Sequence, residues 1–244
     1  MILINVKAGL AAIDARRTDG RIAGANRNHR TGPCRPYNWQ MRMERKEGRA
    51  MLQVRIHGRG GQGVVTAAEM LSIAAFHQGR HAQAFPSFGS ERTGAPVVAF
   101  CRMDDRPIRS REPISAPDAL IIQDAHLLHQ VDVFQGLMPN GYVLINSNRT
   151  VHELGIESVA ARLPPGRIIT VPATDIALKH LGRPLPNAVL LGAFAAQTGF
   201  ITLDAVIHAI HDKFKGPVAD KNAAAAAEAH DLLAQTAEPV KETL

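Results

Sequence analysis

The run Gly58-Arg59-Gly60-Gly61-Gln62-Gly63 stands between two segments of different period. Before it, Leu52-Gln53-Val54-Arg55-Ile56-His57 alternates apolar and polar, as a half-buried strand does. After it, Val64, Ala67, Ala68, Leu71 and Ala75 recur at helical spacing, so a helix is expected to about His77, with Gly79 ending it. A strand, a tight glycine turn and a helix in that order open an α/β sheet, and this confines the chain to a few architectures.

The rest of the chain agrees. Val97 to Cys101, Ala119 to Ile122, Tyr142 to Ile145 and Arg167 to Val171 read as short buried strands, and His81 to Phe85 as a further one. Helices are expected at Thr174 or Asp175 to His180, with one of those two residues as the cap, and at 187–197, 203–214 and 219–235. The predicted fold is α/β and Rossmann-like: a mostly parallel sheet with helices on both faces. Binding loops of such sheets gather at the carboxyl ends of the strands. The glycine turn and the residues after Gln123 and Asn146 belong there.

Charge separates the chain into two parts. Residues 1–50 hold 11 Lys+Arg against 4 Asp+Glu, whereas residues 51–244 have a net charge of −1. The basic character therefore belongs to an extension rich in Arg, Asn and Gly. It reads as poorly ordered, as a basic arm or organelle presequence, or as sequence upstream of a true start at Met51. Residues 51–240 form the expected domain. A nucleic-acid-binding domain would carry clustered positive charge on its folded part, and this one does not. No apolar run approaches the roughly 20 residues that span a bilayer. Two distant cysteines, Cys34 and Cys101, make neither a disulfide framework nor a metal cluster, in keeping with a cytoplasmic protein.

Two stretches are candidates for function. Gly58, Gly60, Gly61 and Gly63 suit a cofactor or phosphate, because small residues let backbone amides and a helix N-terminus approach an anion. A dinucleotide site, however, expects an acidic residue about 20 positions on. That region reads Gly79-Arg80-His81-Ala82-Gln83, and Arg80 offers only a partner for a 2′-phosphate. A tight turn that packs helix against strand, with at most an incidental phosphate, is favoured over a dinucleotide site as the account of these glycines. The second stretch, Phe85 to Pro96, has aromatic, hydroxyl and charged residues between glycines and prolines. Phe85, Phe88, Ser90, Glu91, Arg92 and Thr93 are the expected contacts with a partner. No catalytic set stands out. His126 and His129 lack a third ligand, Asp124 reads as a helix cap, and Cys101 as a buried, inert thiol.

The stretch Arg55-Ile56-His57-Gly58-Arg59-Gly60-Gly61-Gln62-Gly63-Val64-Val65-Thr66-Ala67-Ala68-Glu69 resembles the start of the gamma subunit of pyruvate:ferredoxin oxidoreductase and related 2-oxoacid:acceptor oxidoreductases. The likeness continues from Ala82 to Val97, at Ile108-Arg109-Ser110 and at Asn187 to Ala193. It implies a subunit with no catalytic residues of its own. Alpha and beta subunits would hold thiamine diphosphate with magnesium, [4Fe–4S] clusters would sit in beta and a small delta subunit, and coenzyme A would be co-substrate. No cofactor would be bound by this chain alone. Two cysteines cannot supply the four thiolates of such a cluster. The assembly would decarboxylate a 2-oxoacid, pyruvate first among the candidates, and pass electrons to ferredoxin. A free-standing NAD(P)-binding protein is the alternative.

Overall fold

Strand β1 (Leu52–Arg59) lies near the middle of a six-stranded sheet of order β2-β3-β1-β4-β5-β6. The computed structural model describes residues 51–87 and 94–236. Helix α1 (Val64–His77) carries the chain from β1 to β2 (His81–Pro86), and β3 (Pro96–Asp104) then runs back between them, antiparallel to both. Strands β4 (Ala119–Ile122), β5 (Tyr142–Asn146) and β6 (Ile168–Val171) continue the sheet parallel to β1. The sheet is thus parallel except for β3. Strand β2 ends the β1-α1-β2 crossover and opens a hairpin with β3, which fills the place between β1 and β2.

The alternation in β1 sorts its residues between two environments. Val54 and Ile56 enter a core shared with α1, α3 (Ala173–Leu181), α4 (Asn187–Thr198), α5 (Leu203–Lys213) and α6 (Pro217–Thr236). The opposite face carries a smaller core over β4 to β6. There Leu120, Ile122, Val143 and Ile145 meet Leu127 of a 3-10 helix (Ala125–His129), Val133, Leu154 and Ile156, next to the short helix α2 (Glu157–Ala160). Helix α4 is apolar on nearly all sides, as a helix enclosed between sheet and further helices must be. Gly192 brings it to the backbone of α6: a Cβ there would lie 2.0 Å from the Ala226 carbonyl oxygen.

Arg55 and His57 point to the second face and are buried there. The Arg55 guanidinium donates from Nη2 to the carbonyls of Val133 (2.9 Å) and Gln135 (2.7 Å), pinning the segment after the 3-10 helix onto β1. Its Nε lies 3.0 Å from His57 Nε2, which must therefore be an unprotonated acceptor. Burial, then the Arg55 charge, push the His57 pKa from 6.5 down to about 3. The unfolded chain takes up this proton first, so the stability is complete above pH 6.5 and falls as pH drops toward 3. Urea unfolding at pH 8 and pH 5 should show the wild type losing about 2 kcal/mol more than His57→Gln. Gln keeps an acceptor but cannot charge, and the other histidines cancel in the comparison. Equal losses would remove His57 as the cause.

Candidate functional site at the carboxyl edge of the sheet

The glycine turn leaves β1 at the carboxyl edge. Gly63, at φ 72°, starts α1 in the left-handed conformation, and no side chain caps the helix. The first-turn amides of a helix have no partners within it, so this uncapped end offers donors and a positive dipole to whatever meets the edge. Two buried amides lie against the turn. A Cβ on Gly58 would sit 3.1 Å from Gln123 Oε1, and one on Gly63 would sit 2.2 Å from Asn187 Nδ2. Gln123 is 1% exposed, yet neither end of its amide meets a hydrogen-bond partner among the described residues, nor does Asn187 Oδ1. Unpaired buried amides cost about 1–3 kcal/mol each, and the turn's glycines are also needed for packing, since a Cβ on Gly58 would lie 2.6 Å from Val64 Cγ2.

The edge continues through Asn146 at the end of β5. Its Nδ2 donates to the Gln123 carbonyl (2.9 Å) and to Thr174 Oγ1 (2.8 Å), and its Oδ1 accepts from the Thr174 amide at 3.0 Å. This corrects the expected cap of α3. The helix begins at Ala173 after Pro172, without a cap from its own sequence. Thr174 and Asp175 lie inside its first turn, and Asn146 supplies the acceptor from a neighbouring strand. Asp124 does cap, accepting from the His126 amide at 2.9 Å at the start of the 3-10 helix. Burial raises its carboxyl, but His126 and Arg59 outweigh this and hold it below the usual carboxylate range.

The structure brings the two candidate stretches together. The Gly60 amide donates to the Ala95 carbonyl (2.9 Å), and the Gly94 amide donates to the Gly60 carbonyl (3.1 Å). Both ends of the loop therefore meet the sheet beside the turn, since the Ser87 amide donates to the Val98 carbonyl at 2.8 Å. Phe85 is half-buried, with its ring 5.2 Å from that of Phe100 and the buried Arg102 guanidinium 5.2 Å above it. Phe88, Ser90, Glu91, Arg92 and Thr93 lie outside the described residues.

Arg80 cannot serve the turn. It precedes β2, which runs parallel to β1, so it lies at the amino edge, 3.7 Å from Asp105 and 3.4 Å from the Phe200 carbonyl. The insertion of β3 also separates β2 from β1, where a dinucleotide fold has neighbours. Among the described residues no three His, Cys, Asp or Glu side chains gather as metal ligands, and no helix is long and apolar enough to cross a membrane. His126 and His129 are exposed on the 3-10 helix, and burial drives the Cys101 thiol pKa strongly upward, away from reactivity. Motif reading missed Gln123, Asn146 and Asn187. The first two are polar residues closing apolar strands, and the third opens a helix after Pro186.

A six-stranded sheet with one antiparallel strand, helices on both faces and a glycine turn at its carboxyl edge defines the chain as an α/β protein of Rossmann-like class. Residues 53–232 match the pyruvate ferredoxin/flavodoxin oxidoreductase family, and the chain belongs to it. It is 48% identical over 183 residues to the pyruvate synthase subunit PorC of Methanothermobacter marburgensis, covering 75% of this chain and 98% of that one. It is also 48% identical over 179 residues to the common gamma subunit of the pyruvate/ketoisovalerate oxidoreductases of Thermococcus kodakarensis, covering 73% and 95%. The crystal structure of the pyruvate oxidoreductase subunit PORC of Thermotoga maritima superposes with a TM-score of 0.63 at 34% identity, over 75% of this chain and 97% of that one. The resemblance read from the two motifs is borne out.

Proposed function

We propose that this chain is the gamma subunit of a cytoplasmic, thiamine-diphosphate-dependent 2-oxoacid:ferredoxin oxidoreductase acting on pyruvate. The carrying observation is the 48% identity that spans 98% of a pyruvate synthase subunit. The assembled enzyme converts pyruvate and coenzyme A to acetyl-CoA and CO2 and passes two electrons, one at a time, to ferredoxin. Thiamine diphosphate supplies the carbanion chemistry and iron–sulfur clusters the electron path, both on companion alpha, beta and delta subunits. This chain lends geometry. A relative described as common to two oxidoreductases fits that division, because a subunit shared between substrates leaves the choice of 2-oxoacid to other chains.

Two features support a role beyond bracing. The uncapped α1 terminus and the glycine turn, beside the Gln123 Nε2 donor that has no partner among the described residues, suit a phosphate group of coenzyme A. The stretch from Phe85 to Thr93 suits a companion subunit. The test is reconstitution. Companion subunits with the full chain should reduce ferredoxin on addition of pyruvate and coenzyme A, while either part alone should not. Glu91→Ala and Arg92→Ala should weaken retention of the chain in the complex. Activity of the isolated chain, or tight binding of a nicotinamide dinucleotide to it, would overturn the reading.

A further inference from the structure

We propose that Gln123 is a specificity-determining residue for coenzyme A: its Nε2 donates to a phosphate, and its Oε1 accepts from a hydroxyl that stands beside that phosphate on the ligand. The inference rests on the reading that coenzyme A meets the glycine turn, and it adds a demand that a bare phosphate cannot meet. Gln123 follows β4 directly. Its backbone amide donates to the His57 carbonyl at 2.8 Å, and its carbonyl accepts from Asn146 Nδ2 at 2.9 Å. These bonds fix the residue to both neighbouring strands and set its side chain against the turn, where a Cβ on Gly58 would meet its Oε1.

Among the described residues, Gln123 is the only side-chain amide with both ends buried and without a partner. An amide brings a donor and an acceptor, so what completes it must accept and donate at adjacent positions. An ionised phosphate only accepts, whereas a phosphate with a hydroxyl beside it does both. Coenzyme A carries that pair twice: the 3′-phosphate next to the ribose 2′-hydroxyl, and the diphosphate near the pantoyl hydroxyl. The surroundings agree. The α1 terminus adds amide donors. Arg59 Nε lies 2.7 Å from Asp124 Oδ2, so the carboxylate beside the turn is neutralised. Gln62 Oε1 is already engaged by the Arg59 amide at 2.8 Å and leaves the acceptor role to Gln123. Gln197 shows what a glutamine kept for the fold does. Also buried, it donates from Nε2 to the carbonyls of Val143 (3.2 Å) and Arg167 (3.0 Å). Gln123 makes no such bond, and an unpaired buried amide is less stable than an apolar side chain of the same length.

The experiment measures KM for coenzyme A and for 3′-dephospho-coenzyme A in the assembled oxidoreductase, and Tm of the full chain. The variants are Gln123→Met, Gln123→Glu and Gln197→Met. Gln123→Met should raise KM for coenzyme A about tenfold while Tm stays unchanged or rises by up to about 4 °C. Gln123→Glu keeps the acceptor but sets a carboxylate against the phosphate, and should raise KM at least as far. Gln197→Met should lower Tm and leave KM unchanged. With dephospho-coenzyme A the Gln123→Met penalty vanishes if the 3′-phosphate is held, and persists if the diphosphate is. An unchanged KM in Gln123→Met, beside a Gly63→Ala variant that raises KM well beyond Gly61→Ala, would leave coenzyme A at the turn and overturn this inference. An unchanged KM in all of them would overturn the reading beneath it as well. A wild-type KM in Gln123→Glu, an equal KM rise in Gln197→Met, or a Tm loss in Gln123→Met as large as that of Gln197→Met would each overturn the assignment.

Discussion

Replacing Gly192 with alanine is expected to destabilise the chain by about 2–3 kcal/mol and to lower its Tm by about 5–10 °C. The sign is the informative part. Helix propensity alone favours alanine over glycine in a helix interior by about 1 kcal/mol, and Gly192 lies inside α4. Packing opposes this. The added Cβ would lie 2.0 Å from the Ala226 carbonyl oxygen and 2.8 Å from its Cα, and backbone atoms of α6 cannot swing away as a side-chain tip does. The two helices must move apart, breaking contacts with Ala225, Ala226 and Ala229, all buried in the main core. Urea unfolding of the full chain decides the matter. A variant as stable as the wild type, or more so, would mean that α4 and α6 do not meet at this distance.

The second large effect concerns the turn. Gly63→Ala, in the assembled oxidoreductase, is expected to raise KM for coenzyme A about tenfold while kcat at saturation changes little, the cost of losing one hydrogen bond to a charged group. Alanine at φ 72° carries left-handed strain, and its methyl would displace the Asn187 amide, 2.2 Å away. Gly61 separates these causes. It too has positive φ, at 94°, but a Cβ there meets nothing within 4 Å. If pocket shape matters, Gly63→Ala raises KM well beyond Gly61→Ala. Equal effects would indicate backbone strain alone, and an unchanged KM in both would remove coenzyme A from the turn.

Much of this molecule was legible before any coordinates. The β4 bounds Ala119–Ile122 were read directly, because a fully apolar run between turn residues has few other fates. The span of α1 followed from its periodicity, and the family followed from two long motifs. The sheet order was not legible. Nothing in Pro96–Asp104 signals that it runs antiparallel and wedges between β1 and β2, because strand direction is set by which edges can pair, not by local composition. The cap of α3 was misassigned for a related reason. Thr174 has the right chemistry locally, but its partner Asn146 lies 28 residues away.

The amino-acid sequence by itself determined the local elements, the glycine turn and the family, because periodicity, turn chemistry and motif spacing are written along the chain. Only the tertiary structure decided that the turn shares one edge with Ser87, Gly94 and Ala95, that Gln123 and Asn187 lie against it, and that Arg59 joins Gly94, Asp124 and Gln130. Hydrogen bonds and buried amides are relations between residues 35 to 71 positions apart along the chain, as Arg59 is from Gly94, Asp124 and Gln130, and such relations exist only once the sheet has formed.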